Sequence, residues 1–140
     1  FNLNFNIYNQ IKNESQRQIE KGEKTYQIRP NFKDKFRPSE AKEKIEQIVH
    51  DHLKGKQKNP TEYPQLTKEI ADACKKALKE LGKDKRYKFL VQCVLGQNKG
   101  QGVRVGSRQF WDEDTDDVTW VSYVNEDHFC MVAAFAVYLY

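Results

Sequence analysis

The stretch FCMVAAFAVYLY, residues 129–140, decides the fold because every one of its side chains is apolar or aromatic. It contains no charge, glycine or proline. A strand exposed on one face alternates apolar and polar residues, since successive side chains point to opposite faces of the sheet. This segment does not alternate, so we predict a strand that is buried on both faces. The rest of the chain must help to cover two sheet faces.

Length and composition fit one intracellular domain. The chain has 140 residues, of which 38% are hydrophobic and 31% charged, with a net charge of +4. Its lysines are spread along the chain, which indicates solvated surfaces and neither nucleic acid nor a membrane as a partner. The longest apolar run is too short for a membrane-spanning helix, which needs about 20 residues. Cys74, Cys93 and Cys130 form no C-x-x-C motif, so we predict reduced, buried thiols.

The polar N-terminal part differs from the remainder. Residues 1–25 are rich in Asn, Gln, Lys and Glu, and we predict an extension that is disordered or bound to a partner. The domain is predicted over residues 26–140, beginning with an extended lead-in over residues 26–38 that lies across it.

Two amphipathic helices are predicted next. The first begins at Pro38 with Ser39 as N-cap and carries apolar residues at helical spacing up to Leu53. The second has Pro64 in its first turn and ends before Gly82.

After Gly82 the apolar period changes from 3.6 to 2, which predicts strands. We predict four, over residues 87–95, 103–111, 118–124 and 129–140. The predicted fold class is therefore α+β, with two helices packed on one face of a four-stranded antiparallel sheet.

Three sequence patterns suggest binding of a metal or a phosphate group, but none has the complete arrangement that such a site requires. His50 and His52 stand two apart on a helix and point in divergent directions, so they cannot share a metal. The aspartates of residues 112–117 have calcium-loop spacing, yet Asp117 stands where the sharp turn requires glycine. The glycine-rich residues 96–102 join two strands rather than opening a helix, so they indicate a hairpin connection. We predict no enzyme activity, no metal site and no cofactor, and a solvated acidic loop.

The predicted helices can cover only one face of the sheet. Since the last strand is apolar on both faces, a partner should cover the other, and a second copy is the simplest candidate. Small residues permit close approach of two sheets, so we assign the dimer contact to the even-numbered set of that strand. This predicted set is Cys130, Val132, Ala134, Ala136 and Tyr138.

The second predicted strand has the features of a sheet edge. Arg104, Gly106 and Arg108 lie on one side of it, and an edge strand can accept a peptide as an additional strand. An ordinary edge protected against aggregation explains the same residues, and both interpretations remain open at this point.

Several motifs together resemble the Tctex-type dynein light chains. They include YQIRP at residues 26–30, FRPS at 36–39, VQCVLG at 91–96, SRQFWD at 107–112 and NEDHFCMVAAF at 125–135. The resemblance covers residues 26–140. The Arg-Pro lead-in and SRQFWD are most similar to the type-2 and Tctex-domain-containing branch of ciliary and flagellar dyneins.

The resemblance implies a dimer in which the second strand is exchanged between protomers. It also implies that a peptide of the dynein intermediate chain lies along that exchanged strand. The residues implied in binding are Val103, Arg104, Val105, Gly106, Ser107, Arg108, Gln109, Phe110 and Trp111.

On this basis we expect a non-catalytic light chain of a ciliary or axonemal dynein that supports motor assembly. The expected partners are the dynein intermediate chain, a Tctex-type light chain in a homodimer or heterodimer, and other dynein subunits. The expected location is the cytoplasm and cytoskeleton, in the axoneme of a cilium or flagellum. The alternative is a cargo adaptor that binds receptor tails through the same edge, separate from the motor. The class of dynein and the recognised peptide motif stay open.

Overall fold

The computed structural model describes residues 26–55, 59–82 and 84–140, so the predicted extension over residues 1–25 lies outside the described part. The predicted α+β class is confirmed. The elements in chain order are helix α1 (Pro38–Leu53), a 3-10 turn (Pro60–Glu62), helix α2 (Tyr63–Leu81), and strands β1 (Tyr87–Gln97), β2 (Asp117–Val124) and β3 (His128–Tyr138).

The strand predicted to be buried on both faces forms the centre of the sheet. The strand order is β1-β3-β2, and both pairings are antiparallel. β3 pairs with β1 from Gln97↔His128 to Tyr87↔Tyr138, and with β2 over residues 129–136. A central strand bonds its main-chain groups to neighbours on both edges. The strand can therefore be buried without a cost for unpaired main-chain groups.

The prediction of a four-stranded sheet is wrong for the single chain, because residues 103–111 form no strand. We call residues 103–111 the arm. The arm follows the turn after β1, yet it does not fold back onto β1. Its Arg104, Gly106 and Arg108 add little apolar burial, and burial is what offsets the entropy of ordering a strand. A strand also requires an edge to pair with, and within the described residues the arm lies along none.

The helices begin and end close to their predicted limits. The prediction of Ser39 as N-cap is wrong, since the N-cap is Arg37 and Pro38 occupies the first helical turn of α1. Proline suits that position because its fixed φ is helical and its missing N–H would have no intrahelical partner. α2 likewise carries its proline at the start, as predicted.

The core lies between the two helices and one face of the sheet. α1 and α2 bury Ile45, Leu53, Ile70 and Leu78 completely, each with 0% exposure. They pack on the even-numbered residues of β3 and the odd-numbered residues of β1, which share one face because they are paired in register. The predicted placement of both helices on one sheet face is therefore confirmed.

The aromatic side chains of the lead-in pack on the domain only at its end. Phe36 packs at ring-centroid distances of 5.7 Å from Phe89 and 6.2 Å from Tyr87. Tyr26, Ile28 and Phe32 instead remain 75–85% exposed, so the predicted packing of the whole lead-in is wrong. None of the helices in the described ranges is long and apolar enough to cross a bilayer.

Candidate partner-binding site

The arm is the most exposed apolar segment that follows the helices. Val103 and Val105 are 38% and 40% exposed, and Phe110 is 83% exposed. The guanidinium of Arg108 lies 5.3 Å from the centre of the Phe110 ring, and Gln109 bonds the hydroxyl of Ser107. Within the described part of the chain, the main chain of the arm makes no hydrogen bond. No described residue thus occupies the N–H and C=O groups with which the arm could pair with another strand.

A first anchor holds the chain where it leaves the sheet before the arm. The main-chain N–H of Asn98 donates to the carbonyl of Asp127 at 2.9 Å, and its side-chain amide donates to the carbonyl of Asn125 at 2.7 Å. Beyond this point Gly100 has φ +77°, a left-handed conformation that glycine adopts without strain. The direction of the chain toward the arm is thus set by Asn98 and Gly100.

A second anchor holds the chain after the arm, and it corrects the prediction of a wholly solvated acidic loop. Thr115 and Asp116 are buried, with 3% and 8% exposure. Asp116 Oδ1 accepts the main-chain N–H of Tyr138 at 2.8 Å and the Thr115 hydroxyl at 3.2 Å. The Tyr87 hydroxyl donates to the carbonyl of Thr115 at 3.0 Å. Edge strand β1 and central strand β3 therefore both bind this loop.

Burial determines the electrostatics of the second anchor. Desolvation raises the pKa of the Asp116 carboxyl, and the hydrogen bonds from Tyr138 and Thr115 oppose that rise. Asp114, two residues away, is different: its side chain is 65% exposed and forms an ion pair with Arg29 at 2.8 Å. Asp116 is thus a structural residue, and Asp114 belongs to the surface.

The sheet face opposite the helices is only partly covered. Trp111, at the end of the arm, and Trp120 of β2 pack edge-on against Phe135, with centroid distances of 6.2 Å and 6.4 Å. Trp120 itself stays 38% exposed and Val124 stays 63% exposed. We call this side the open face, formed by the odd-numbered residues of β3 and their neighbours on β1 and β2. It is an apolar surface that the described residues leave partly exposed to solvent.

The predicted dimer-contact set lies on the other side. Cys130, Val132, Ala134 and Ala136 have 0% exposure and Tyr138 has 5%, all within the core under the helices. They cannot meet a second copy while the helices cover them. We assigned the dimer contact to the smaller side chains, but these residues pack against the helices of their own chain. We therefore propose the open face as the dimer contact instead.

β1 offers an edge of matching length to the arm. It has 11 residues and pairs with β3 alone, and no strand of the described residues lies on its other side. The arm has nine residues, all nine of the predicted binding residues, and the structure brings them together as one exposed segment. In the part of the chain that the structure describes, the arm does not lie along a sheet edge.

Among the residues that the structure describes, no group of three or more His, Cys, Asp or Glu side chains could hold a metal. His50 is exposed and its ring lies edge-on to Tyr123 at 6.3 Å, while His52 bonds the carbonyl of Ile48. These contacts are those of ordinary helix-surface histidines.

Sequence reasoning missed both anchors. In the sequence, Asp116 is one member of an acidic run. The only signal for its structural role is the spacing of Asp and Thr before a β-strand, which is typical of a turn whose side chains bond its own main chain. Asn98 and Asn125 flank strands β1 and β2, and asparagine at strand ends is a known turn signal. Their contacts depend on the pairing of β1 with β3, which the sequence did not supply.

Comparison with known proteins agrees with this architecture. The sequence profile described as the Tctex-1 family matches residues 35–137. The chain is 48% identical over 122 residues to the dynein light chain Tctex-type protein 2B of Danio rerio, covering 87% of this chain and 81% of the relative. The human protein of the same name is 42% identical over 127 residues, covering 91% and 89%. The human dynein light chain Tctex-type protein 2 is 31% identical over 104 residues, covering 74% and 52%. The chain therefore belongs to the Tctex-1 family, as a Tctex-type dynein light chain, a non-catalytic structural subunit.

Proposed function

We propose that two light chains pair by exchanging arms, and that the paired arms bind a peptide of the dynein intermediate chain. The observation that carries this proposal is the arm itself. It is an exposed segment of strand-like sequence with no main-chain hydrogen bonds in the described chain, held at fixed points before and after. A strand has two edges, so one edge of the arm pairs with β1 of the second copy. The other edge remains for the peptide.

The open face supports the same arrangement. Trp120 and Val124 are exposed there beside the half-buried Met131. Contiguous apolar surface of this kind is typical of interaction sites. A second sheet packed against the open face removes this surface from water, so the dimer contact includes both the exchanged arms and the open faces.

The function of such a dimer is to hold two intermediate-chain tails side by side. Once one tail is bound, the connection between the two binding sites sets the effective concentration at which the second tail binds. This raises avidity without any new type of contact. The dimer thereby supports assembly of the motor. No chemical step and no cofactor is required.

The setting we propose is a ciliary or axonemal dynein in the cytoskeleton. Support comes from the similarity to the type-2 branch in SRQFWD and in the lead-in, and from the relatives named Tctex-type protein 2B. A second Tctex-type chain can take the place of the identical copy, giving a heterodimer. Other dynein subunits then associate through the intermediate chain.

Two proline pairs in the arm test the proposal. Alternate residues of a strand point their N–H groups to the same edge. Val105→Pro with Ser107→Pro therefore removes donors from one edge, and Arg104→Pro with Gly106→Pro removes them from the other. We expect one pair to abolish peptide binding and leave the dimer intact, and the other pair to dissociate the dimer.

The measurements are calorimetry with an intermediate-chain peptide and sedimentation of each variant. Matched alanine substitutions at Val105 and Ser107 keep the N–H groups and should preserve both properties, because main-chain bonds supply most of the affinity. If both proline pairs bind peptide and dimerise like the unmodified protein, the arm is not the binding edge.

Co-purification separates the motor role from the adaptor role. A light chain of the motor is recovered with dynein heavy chains in stoichiometric amount. Recovery with a receptor tail and without heavy chains would support the alternative of a separate cargo adaptor.

A further inference from the structure

Three thiols lie close together in the core, one from a helix and two from the sheet. Cys74 is on α2, Cys93 on β1 and Cys130 on β3, and all three are free. The register pairs Cys93 with Val132 and Leu95 with Cys130, so the two strand cysteines are diagonal neighbours on the helix-facing side. Their sulfur atoms lie 3.7 Å apart. A disulfide bond is about 2.05 Å long, so the sulfurs need to approach by less than about 2 Å.

The two strand thiols differ in access and acidity. Cys93 is half-buried and lies on edge strand β1, whereas Cys130 has 0% exposure on the central strand. The hydrogen bond with Cys130 lowers the pKa of the Cys93 thiol. The pKa of Cys130 is raised, first by that same bond and then by burial. Burial also raises the pKa of Cys74 to about 12. Reactivity of cysteine follows thiolate content and exposure, so Cys93 is the thiol that reacts first.

We propose that Cys93 and Cys130 form a hydroperoxide-sensitive dithiol that closes to a reversible disulfide between β1 and β3. The Cys93 thiol loses its proton, the thiolate attacks one peroxide oxygen and the O–O bond breaks, giving a sulfenic acid; the hydroxide or alkoxide that leaves takes up that proton as water or an alcohol. The Cys130 sulfur then attacks the Cys93 sulfur, the S–O bond breaks, and hydroxide leaves with the Cys130 proton as water. The two thiols lose two electrons in total, and the hydroperoxide gains them.

The register makes this disulfide strained and therefore reducible. Diagonal residues of an antiparallel pair lie farther apart than directly opposed ones. Closing the bond must therefore distort the local pairing of β1 and β3, because Cys93 and Cys130 are offset along the strands. Strained disulfides have higher reduction potentials and are the labile ones. Thiol reductants of the cell would accordingly reopen the bond once the peroxide is consumed.

Peptide mapping tests the proposal on the unmodified chain. Cleavage by trypsin after Lys68, Lys75, Lys88, Lys99 and Arg108 places the three cysteines in residues 69–75, 89–99 and 109–140. The reduced full chain is treated with graded hydrogen peroxide, blocked with an alkylating reagent and digested without reductant. We expect the peptides 89–99 and 109–140 to be linked, with loss of two hydrogens, in a protein of monomer mobility on a non-reducing gel. Dithiothreitol should restore both free peptides.

Three variants sharpen the result. Cys130→Ser should lose the linked peptide and retain Cys93 as a sulfenic acid that dimedone traps. Cys93→Ser should leave Cys130 unreacted. Cys74→Ser is the matched control, a buried thiol of the same core, and should keep the linkage unchanged. Linkage through Cys74, linkage only between separate chains, or direct oxidation of Cys93 to sulfinic acid without linkage would overturn the proposal. The peptide map of the unmodified chain decides the matter even where a variant fails to fold.

Discussion

β3 and the arm are the two segments with strand-like sequence that differ most in their surroundings. β3 is paired along both edges, and its even-numbered side chains from Cys130 to Ala136 have 0% exposure. The main chain of the arm pairs with none of the described residues, and its Val103, Val105 and Phe110 are exposed. A strand becomes stable when both its side chains and its main chain find partners. β3 has both, whereas in the described residues the arm has no main-chain partner and only Trp111, at its end, packs on the sheet.

The comparison separates residues that make the fold from residues that are kept for a partner. Changes in β3 should act on the stability of the single chain. Changes in the arm should act on association and leave that stability almost unaltered. The anchors, which join the arm to the core, should give intermediate effects.

The largest contrast is expected when the same charge is placed in each region. Ala134→Asp buries a carboxylate without a partner under the helices and should lower the free energy of unfolding by about 3–5 kcal/mol or prevent folding. Val105→Asp places the charge in the arm and should change it by less than about 0.5 kcal/mol. Urea denaturation at low protein concentration measures both. Comparable losses in the two variants would mean that the arm is part of the folded core.

The second anchor should show the next largest effect. Asp116→Ala removes the acceptor of the Tyr138 N–H and of the Thr115 hydroxyl, and should cost about 1–3 kcal/mol. Asp114→Ala is the matched control, because it breaks only an exposed ion pair with Arg29, worth about 0–1 kcal/mol. Thermal and urea unfolding should rank the two variants in this order. Equal effects would show that the buried hydrogen bonds do not hold the loop.

A smaller contrast is expected between two glycines. A Cβ at Gly96 of β1 would lie 2.5 Å from the ring tip of Phe129, so Gly96→Ala must displace a half-buried ring. Overpacking of this kind should cost about 1 kcal/mol here, because the ring lies on the open face and can move outward. Gly106→Ala in the arm meets nothing within 4 Å and should leave stability unchanged. A loss at Gly106 that matches the loss at Gly96 would contradict the exposed position of the arm.

The smallest effect concerns the pH dependence of the second anchor. Burial raises the folded-state pKa of Asp116, so the folded protein binds a proton more readily than the unfolded chain. Its contribution to stability therefore increases as pH falls from neutral toward the ordinary carboxyl pKa of about 3.9, and decreases as pH rises. The stability difference between the unmodified protein and Asp116→Asn should follow this sign. A difference that is flat or grows with pH would refute the assigned cause.

The extent to which the fold was predictable depended on where each residue finds its partner. The helices and three of the strands were predictable because their apolar periods are completed within the chain, and Pro38 and Pro64 marked helix starts. Which face of β3 the helices cover was not predictable, because both faces are apolar. Only the structure shows that the helices pack on the side of Ala134 and not on the side of Phe135. The arm carries the signal of a strand but not of the edge it pairs with. The closeness of Cys93 to Cys130 followed only from the register.

The two anchors also bear on how a cell distinguishes a lone copy from an assembled one. Asn98 and Asp116 hold the chain before and after the arm. Arg104 and Arg108 of the arm are exposed and thus accessible to trypsin-like proteases, whereas the core strands are protected. A paired arm, as proposed, lies within a sheet and escapes cleavage. Tryptic cutting in the arm should then slow as protein concentration rises and pairing increases, and a rate independent of concentration would argue against it. We therefore expect a protease to distinguish a single copy, whose arm it can cut, from a pair, whose arm it cannot reach.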